Sequence, residues 1–409
     1  MEITFLSGIF TEKMEKEILN KSNGPVQYAA NNFQKNIVKG LHDNNVQNVK
    51  VISAPFIGSY PKTYKDFHFK GEKSETLLNY PLAIVDFINL WGFRNISRKK
   101  KVYNKLSNEQ SDEKKILMIY SLHTPFVSAA YDFKKKYPDT EICCIVPDLP
   151  QYMMLNKNRN SFYRFFKSID IKILERKLSS IDSFVFLTEN MNEVVNTHNK
   201  PYTIVEGIVS DISDQTQKHK EEIKDRKFQI VYTGTLSEKY GILSLVEAVL
   251  QLDLKDVVLK ICGRGDAEKE IEKLSRKHSN LEYYGQLSNN EARQMQQEAN
   301  IVVNPRKNIG EYTKYSFPSK NMEYMLTGNP LIAYKLDGIP EEYEKYIHFV
   351  DDNTVKALSN KIEQIYNQTE EERNIFAEKA KKYLIEFKNP KITVRKILQL
   401  INSHNDERR

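Results

Sequence analysis

The 409-residue sequence is poor in the features that mark several protein classes. It has three cysteines, too few for a disulfide scaffold, and two of them, Cys143 and Cys144, are adjacent in the apolar run Glu141 to Val146. Neighbouring residues on a strand point to opposite faces, so these two are poorly placed to bond each other. Together with Cys262, in a second apolar run, they read as buried, reduced thiols of a cytosolic protein. Fifteen glycines and fourteen prolines exclude a collagen-like fibre. Long hydrophobic runs are missing too. The most apolar region, Tyr80 to Phe93, is broken by Pro81, Asp86 and Asn89, which excludes a bilayer span. The first residues carry no basic leader ahead of an apolar stretch, so no signal peptide is expected and the expected location is cytoplasmic, with peripheral attachment to the inner membrane face left open. A Gly-x4-Gly-Lys-Ser/Thr phosphate loop is absent, and no Gly-x-Gly-x2-Gly follows the first strand. A P-loop kinase and an ordinary NAD dehydrogenase are therefore disfavoured.

What is present is ordinary globular material. Apolar residues make up 40% and charged residues 28%, and the length suits two or three domains. The 61 lysines and arginines exceed the 54 acidic residues by seven, a mild excess that permits an anionic partner without identifying one.

Short apolar segments alternate with helix-period segments throughout. In the first half, Ile3 to Leu6, Val49 to Ser53, Ile116 to Tyr120, Ile142 to Val146, Phe184 to Leu187 and Thr203 to Val205 read as strands. Val26, Ala30, Phe33, Ile37 and Leu41 recur at helical spacing, and Phe126 to Lys136 reads as another helix. The polar stretch 210–227 then reads as a linker. Beyond it the alternation restarts, with strands at Gln229 to Tyr232, Val257 to Cys262, Leu281 to Tyr284, Ile301 to Asn304 and Leu331 to Tyr334. This predicts an α/β chain of two doubly wound domains, 1–209 and 228–388, with helix 390–409 crossing back onto the first. Ligands of such folds bind beyond the carboxyl ends of the strands, so two domains facing each other would create a cleft.

The most informative segment is Tyr315-Ser316-Phe317-Pro318-Ser319-Lys320-Asn321-Met322-Glu323, running from a loop into a helix. Ser316 suits a cap, Pro318 suits the first turn, and the amides of Phe317, Ser319 and Lys320 would then point at an anion. Lys320 adds a full charge, and Glu323 lies one turn deeper, where a carboxylate suits the two hydroxyls of a ribose. The same residues also suit an ordinary capped helix with a solvated glutamate.

This stretch resembles the nucleotide-sugar signature of glycosyltransferase family 4, together with Gly328-Asn329-Pro330-Leu331-Ile332 and Asp337-Gly338-Ile339-Pro340-Glu341. Val231 to Gly241, Ile261-Cys262-Gly263-Arg264-Gly265 and Tyr283-Tyr284-Gly285-Gln286-Leu287 extend the resemblance in the family's order. It implies a retaining GT-B enzyme with two Rossmann-like domains facing a central cleft. The substrates implied are a nucleoside-diphosphate sugar, UDP-linked in our reading, and a glycan or lipid-linked glycan acceptor, as in polysaccharide or glycoconjugate assembly.

Residue by residue, the resemblance assigns Glu323 to the ribose and Gly285, Gln286 and Leu287 to the base, and puts Arg264 beside the donor. Gly24 matches a glycine approaching the diphosphate, with Pro25 in place of a second glycine. The first carboxylate of the family's Glu-x7-Glu falls at Tyr315, so Glu311 is the substitute expected. Thr235 stands where an arginine is usual, leaving Lys239 or Arg306 to supply the charge. His123 resembles the histidine that faces the donor sugar, and a structural histidine is the alternative. Asp148 suits an acceptor-orienting or proton-accepting role, or a turn. The chain lacks Asp-x-Asp, so no metal or other cofactor is expected, with cations and helix amides stabilising the leaving diphosphate.

Two alternatives stay open: a UDP-sugar 2-epimerase of the same fold, and a non-catalytic partner subunit of a glycosyltransferase complex. The basic, aromatic stretches 90–101 and 157–167 suit an anionic membrane surface or solvated helices. No recognised nucleic-acid module accompanies the charge, and nucleic acid is not an expected partner.

Overall fold

The computed structural model describes residues 2–24, 26–72, 75–108, 113–149, 161–209 and 227–406, with the backbone alone for 161–167 and 404–406. The chain divides into two compact units, 1–210 with 389–409, and 211–388.

The first unit is built on an eight-stranded sheet. Its strands are β1 (Glu2–Ser7), β2 (Val49–Ser53), β4 (Glu75–Leu77), β5 (Tyr80–Ile84), β7 (Lys115–Tyr120), β8 (Glu141–Val146), β9 (Ser183–Phe186) and β10 (Tyr202–Ile204). They run in the order β10-β9-β8-β7-β1-β2-β5-β4, parallel except for the β4–β5 pair. Between β2 and β5 the order jumps outward in one direction and between β1 and β7 in the other, which is the switch point of a doubly wound sheet. A two-stranded ribbon, β3 (His68–Phe69) with β6 (Phe87–Ile88), lies beside it.

The central strands are buried along their whole length, β1, β7 and β8 without a single exposed residue. That is the pattern expected where helices cover both faces. Those helices are α1 (Glu12–Lys21), α2 (Tyr28–Asp43), α3 (Arg94–Asn108), α4 (Thr124–Lys136), α5 (Ser161–Leu178) and α6 (Asn190–Val195).

The second unit has a six-stranded, wholly parallel sheet in the order β13-β12-β11-β14-β15-β16. Its strands are β11 (Phe228–Thr233), β12 (Val257–Cys262), β13 (Leu281–Tyr283), β14 (Ile301–Asn304), β15 (Leu331–Tyr334) and β16 (His348–Val350). The covering helices are α7 (Ile242–Leu250), α8 (Glu268–Ser275), α9 (Asn289–Gln297), α10 (Ser319–Met325), α11 (Val355–Tyr366) and α12 (Glu370–Phe387). Ile230, Leu245, Val249, Leu259, Ile301, Ile332, Leu358 and Ile362 share one core.

The last helix, α13 (Pro390–Asp406), belongs to the first unit. It lies on α2, where Asn44 Nδ2 donates to the Lys391 carbonyl at 2.8 Å. Contact is close enough that a Cβ on Gly40 would sit 2.3 Å from Val394 Cγ2. The glycine is there because the two backbones need its missing side chain.

Two features of the first unit escape the sequence pattern. Helix α1 intervenes between β1 and Gly24, so the glycine that directly follows the first strand is Gly8. Its amide donates to Gln34 Oε1 at 2.7 Å, and a Cβ there would overlap the Phe56 ring. Gly24 itself stands in open space. The ribbon and β5 also went unmarked, because Pro81 and Asp86 mask a strand region in which apolar and polar residues do not alternate cleanly.

Candidate active site

In the second unit the strand ends form a shelf of backbone. Gly263 follows β12 with φ of +137°, and a Cβ there would stand 1.7 Å from the Gly234 carbonyl oxygen. Gly234, after β11, has φ of +149° and donates its amide to the Cys262 carbonyl at 3.0 Å. Gly263 donates in turn to the Gly285 carbonyl at 2.8 Å. Three glycines thus close the carboxyl ends of β11, β12 and β13 without side chains, the surface a flat, backbone-reading ligand needs. The Lys320 Cε lies 3.8 Å from where a Gly234 Cβ would be, so its aliphatic arm crosses the shelf.

Helix α10 supplies the charges. Lys320 Nζ donates to Glu323 Oε2 at 2.8 Å, and Gln296 Nε2, from α9, donates to Glu323 Oε1 at 2.7 Å. The same Gln296 nitrogen donates to Thr233 Oγ1 at 2.6 Å. Gln296 is buried, whereas Glu323 keeps nearly half its side chain exposed. The glutamate is therefore aimed outward from a buried amide anchor.

Tyr324 locks α10 to β11: the Thr233 amide donates to its hydroxyl at 2.8 Å, and that hydroxyl donates to the Thr233 carbonyl. Asn304 Nδ2 donates to Asn321 Oδ1 at 2.6 Å, tying the same helix to β14. Burial pushes the Cys262 thiol up to about 11, opposed by Lys320 and assisted by Glu323, so this thiol feels both charges and stays protonated at neutral pH.

A second cationic group sits beside β14. Arg306 Nη2 donates to Ser316 Oγ at 3.1 Å, and its guanidinium stands 5.2 Å from the Tyr312 ring centre and 5.7 Å from that of Tyr240. The Lys239 ammonium lies 4.8 Å from the Tyr312 centre. Gly241, with φ of +78°, lets the 238–241 turn press on the Pro305 carbonyl and brings these residues together.

The remaining expected positions are distributed around these groups. Glu311 is exposed and opens the short 3-10 turn Glu311–Tyr315, in which Tyr315 is half-buried. Phe317 is buried against Tyr343. Gln286 is exposed, and its Nε2 donates to the Leu287 carbonyl. The Arg264 carbonyl accepts from the Leu236 amide at 2.9 Å while its side chain is exposed.

One reading is corrected. Ser316 does not cap the helix: α10 starts at Ser319 with Pro318 as its cap residue, and the Ser316 hydroxyl serves Arg306 instead. Pro318 fixes φ near −70°, already suitable for the turn before a helix, so the boundary falls there. Gln296 was missed. Only its place on α9, opposite an outward glutamate two elements away, reveals it.

In the first unit the carboxyl ends of β1, β2 and β7 carry an aromatic cluster. His123 precedes α4, with the Phe56 ring edge-on at 5.2 Å and the Phe126 ring at 4.9 Å. Ser121, with φ of +70°, turns the chain just before it. Tyr120 packs near Phe33 and Phe56, and its phenol is driven far up by burial, with Asp148 adding to the rise. Asp148 is exposed just beyond β8. Loop 54–58 is gripped from α3: Arg98 Nη2 donates to the Pro55 carbonyl at 2.6 Å and Arg94 Nη1 to Ile57 at 3.2 Å.

Within the stretch 90–101 the cations do not share one environment, and Lys100 is exposed. Arg98 is fully buried over the Phe87 ring, Lys99 pairs with Asp132 and Lys101 with Asp86, both at 2.6 Å. Of the stretch 157–167, residues 157–160 lie outside the described residues and 161–167 are described as helical backbone alone.

Comparison with known proteins follows this division. Residues 213–383 match the family model of glycosyl transferases group 1, a span that falls within the second unit. Among curated protein sequences none matches the chain.

Solved structures are similar over nearly the whole length. Sucrose-phosphate synthase from Thermosynechococcus elongatus aligns with a TM-score of 0.64 at 12% identity, covering 98% of this chain and 99% of that one. Anabaena HepE in complex with UDP aligns at 0.60 and 11%, covering 98% and 100%. The pneumococcal O-GlcNAc transferase GtfA, in complex with UDP and GlcNAc, aligns at 0.60 and 12%, covering 98% and 99%. The fold is GT-B.

Proposed function

We propose that the chain is a retaining, metal-independent glycosyltransferase of family 4 type. It would move a sugar from a UDP-sugar to a glycan or lipid-linked glycan acceptor, in polysaccharide or glycoconjugate assembly. The observation that carries the reading is the glycine shelf of Gly234, Gly263 and Gly285 faced by the Lys320–Glu323–Gln296 network, inside a matched glycosyltransferase domain. The UDP complexes of HepE and GtfA support the choice of nucleotide.

In this reading Glu323 accepts the ribose hydroxyls, releasing Lys320 toward the diphosphate. Gly285, Gln286 and Leu287 meet the base. Arg306 and Lys239 neutralise the leaving phosphate, where charge develops as the reaction proceeds. The bond between the anomeric carbon and the phosphate oxygen breaks and its electron pair stays on the diphosphate. The acceptor hydroxyl oxygen bonds to the anomeric carbon from the same face, and its proton passes to the departing phosphate oxygen. No enzyme nucleophile is needed. His123 serves the donor sugar and Asp148 orients the acceptor hydroxyl.

The test is thermal unfolding with UDP, GDP and ADP, each with and without EDTA, on the wild type and Glu323→Ala. A ligand held only by the folded state raises the midpoint. The expected result is a UDP-selective, EDTA-insensitive rise that Glu323→Ala removes. No rise with any nucleotide would transfer the reading to a partner subunit, and conversion of a UDP-sugar without acceptor would transfer it to a 2-epimerase.

A further inference from the structure

The ribbon β3–β6 and the first turns of α3 carry large apolar side chains on the outside of the first unit. Phe93 is 61% exposed and Ile96 65%, beside Ile88, Phe67 and Trp91, each at 40% or more. They are neighbours. The Ile88 amide donates to Ser97 Oγ at 3.0 Å, which sets the ribbon edge against the helix next to Ile96. The Asn89 amide donates to the Phe67 carbonyl at 2.7 Å, and the Phe93 amide to that of Leu90.

Helical spacing puts Phe93, Ile96 and Lys100 on one stripe, opposite the buried Arg98, Val102 and Leu106. Exposed aromatic and aliphatic side chains gathered in one place mark an interaction surface.

The charges around the patch select the partner. Lys70 directly follows β3, Lys62 sits two residues after Tyr60, whose ring meets Phe67 at 5.9 Å, and Lys100 follows the apolar stripe, all three lysines exposed. The acidic groups nearby are engaged: Asp66 with Lys21 and Asp86 with Lys101, both at 2.6 Å. A Trp, two Phe and two Ile ringed by lysines, with the carboxylates neutralised, complement a surface that is apolar a few ångströms down and anionic at its face. Among the described residues no helix is long and apolar enough to cross a membrane, so contact would be interfacial.

We infer that this face docks on an anionic lipid bilayer, with Phe93, Ile96 and Trp91 entering the headgroup boundary and Lys62, Lys70 and Lys100 meeting the lipid charges. The carriers differ from those the sequence suggests: the run 98–101 contributes Lys100, while Arg98, Lys99 and Lys101 face inward or sideways. The inference goes beyond the proposed reaction and does not depend on it.

The experiment is co-sedimentation of the full chain with vesicles of phosphatidylcholine alone and of phosphatidylcholine with phosphatidylglycerol, at low and high salt. Wild type is expected to partition onto the anionic vesicles, less at high salt, and much less onto neutral ones. The double variant Phe93→Ser/Ile96→Ser should reduce partitioning by about tenfold or more, since it removes apolar surface from the contact. Lys62→Glu/Lys70→Glu should reduce it by a similar factor through charge alone.

All four side chains are exposed, so both variants should keep the wild-type unfolding midpoint. Absence of wild-type binding overturns the inference, as does binding that survives both variants or is equal on neutral vesicles. A concentration-dependent dimer abolished by Phe93→Ser/Ile96→Ser, with no vesicle binding, assigns the face to a second copy instead.

Discussion

The two sheets share a doubly wound parallel core and present opposite chemistry at their carboxyl edges. In the second unit the edge is opened by Gly234, Gly263 and Gly285 and charged by Lys320, Glu323, Arg306 and Lys239. In the first it is filled by Phe33, Phe56, Tyr120, Phe126 and His123, with Gly8 yielding room to Phe56. Parallel strands deliver their ends to one edge in both cases. Whether that edge becomes a polar shelf or an aromatic wall is decided by a few residues immediately after each strand. The shelf needs backbone at positive φ at all three glycines, and at Gly263 no room for a Cβ at all. The wall needs a clamp, and Arg94 and Arg98 provide it from behind through loop 54–58.

The sharpest way to break this contrast is Gly263→Ala. A Cβ 1.7 Å from the Gly234 oxygen, at φ of +137°, forces two strand ends apart. The cost expected is about 3 kcal/mol, read as a lower urea midpoint, together with loss of any nucleotide-induced stabilisation.

Acid should strain the second unit next. Burial holds His348, stacked on Phe376, down to about 4 from 6.5, with Lys361 adding to the depression. The native state then refuses a proton that the unfolded chain accepts. Stability is full above pH 6.5 and is lost as pH falls toward 4, at up to about 1.4 kcal/mol per pH unit. Urea unfolding at intervals from pH 7 to 4 should show that slope in the wild type and a flatter one in His348→Phe.

Gln296→Leu tests the anchor behind the outward carboxylate. It should weaken nucleotide binding by about tenfold, close to 1.4 kcal/mol, and Gln296→Glu should not restore it because a second carboxylate repels Glu323. Isothermal titration with UDP separates this from a general loss of fold. The smallest effect belongs to Gly24→Ala. Its Cβ meets nothing within 4 Å, so a stability change under about 0.5 kcal/mol is expected, and UDP affinity reports whether that loop touches the nucleotide.

Legibility in the sequence followed burial. β2, β12, β14 and β15 coincide with their apolar runs because strands covered on both faces are dominated by buried apolar residues, with only Lys50, Ser53, Lys260 and Asn304 interrupting them. The ribbon, α1 and α3 did not stand out, since α3 buries Arg98 and exposes Ile96, with exposed Phe93 just before it, the reverse of a helix on a core.

At the site, residues within one segment were readable: Lys320 and Glu323 lie three apart on one helix, and the structure pairs them. Partners from distant segments were not, as Gln296 is separated from Glu323 by 27 positions. Ser316 was misread because a serine near a proline fits either a cap or an arginine partner, and only the fold brings Arg306 within reach.

The return of α13 to the first unit gives the chain an order of assembly. Everything from 211 to 388 lies between two parts of the same body, so the second unit is fully synthesised while the first still lacks the helix that covers α2. During translation the Gly40 face of α2 therefore waits for α13, and the first unit is completed only after the second has been made.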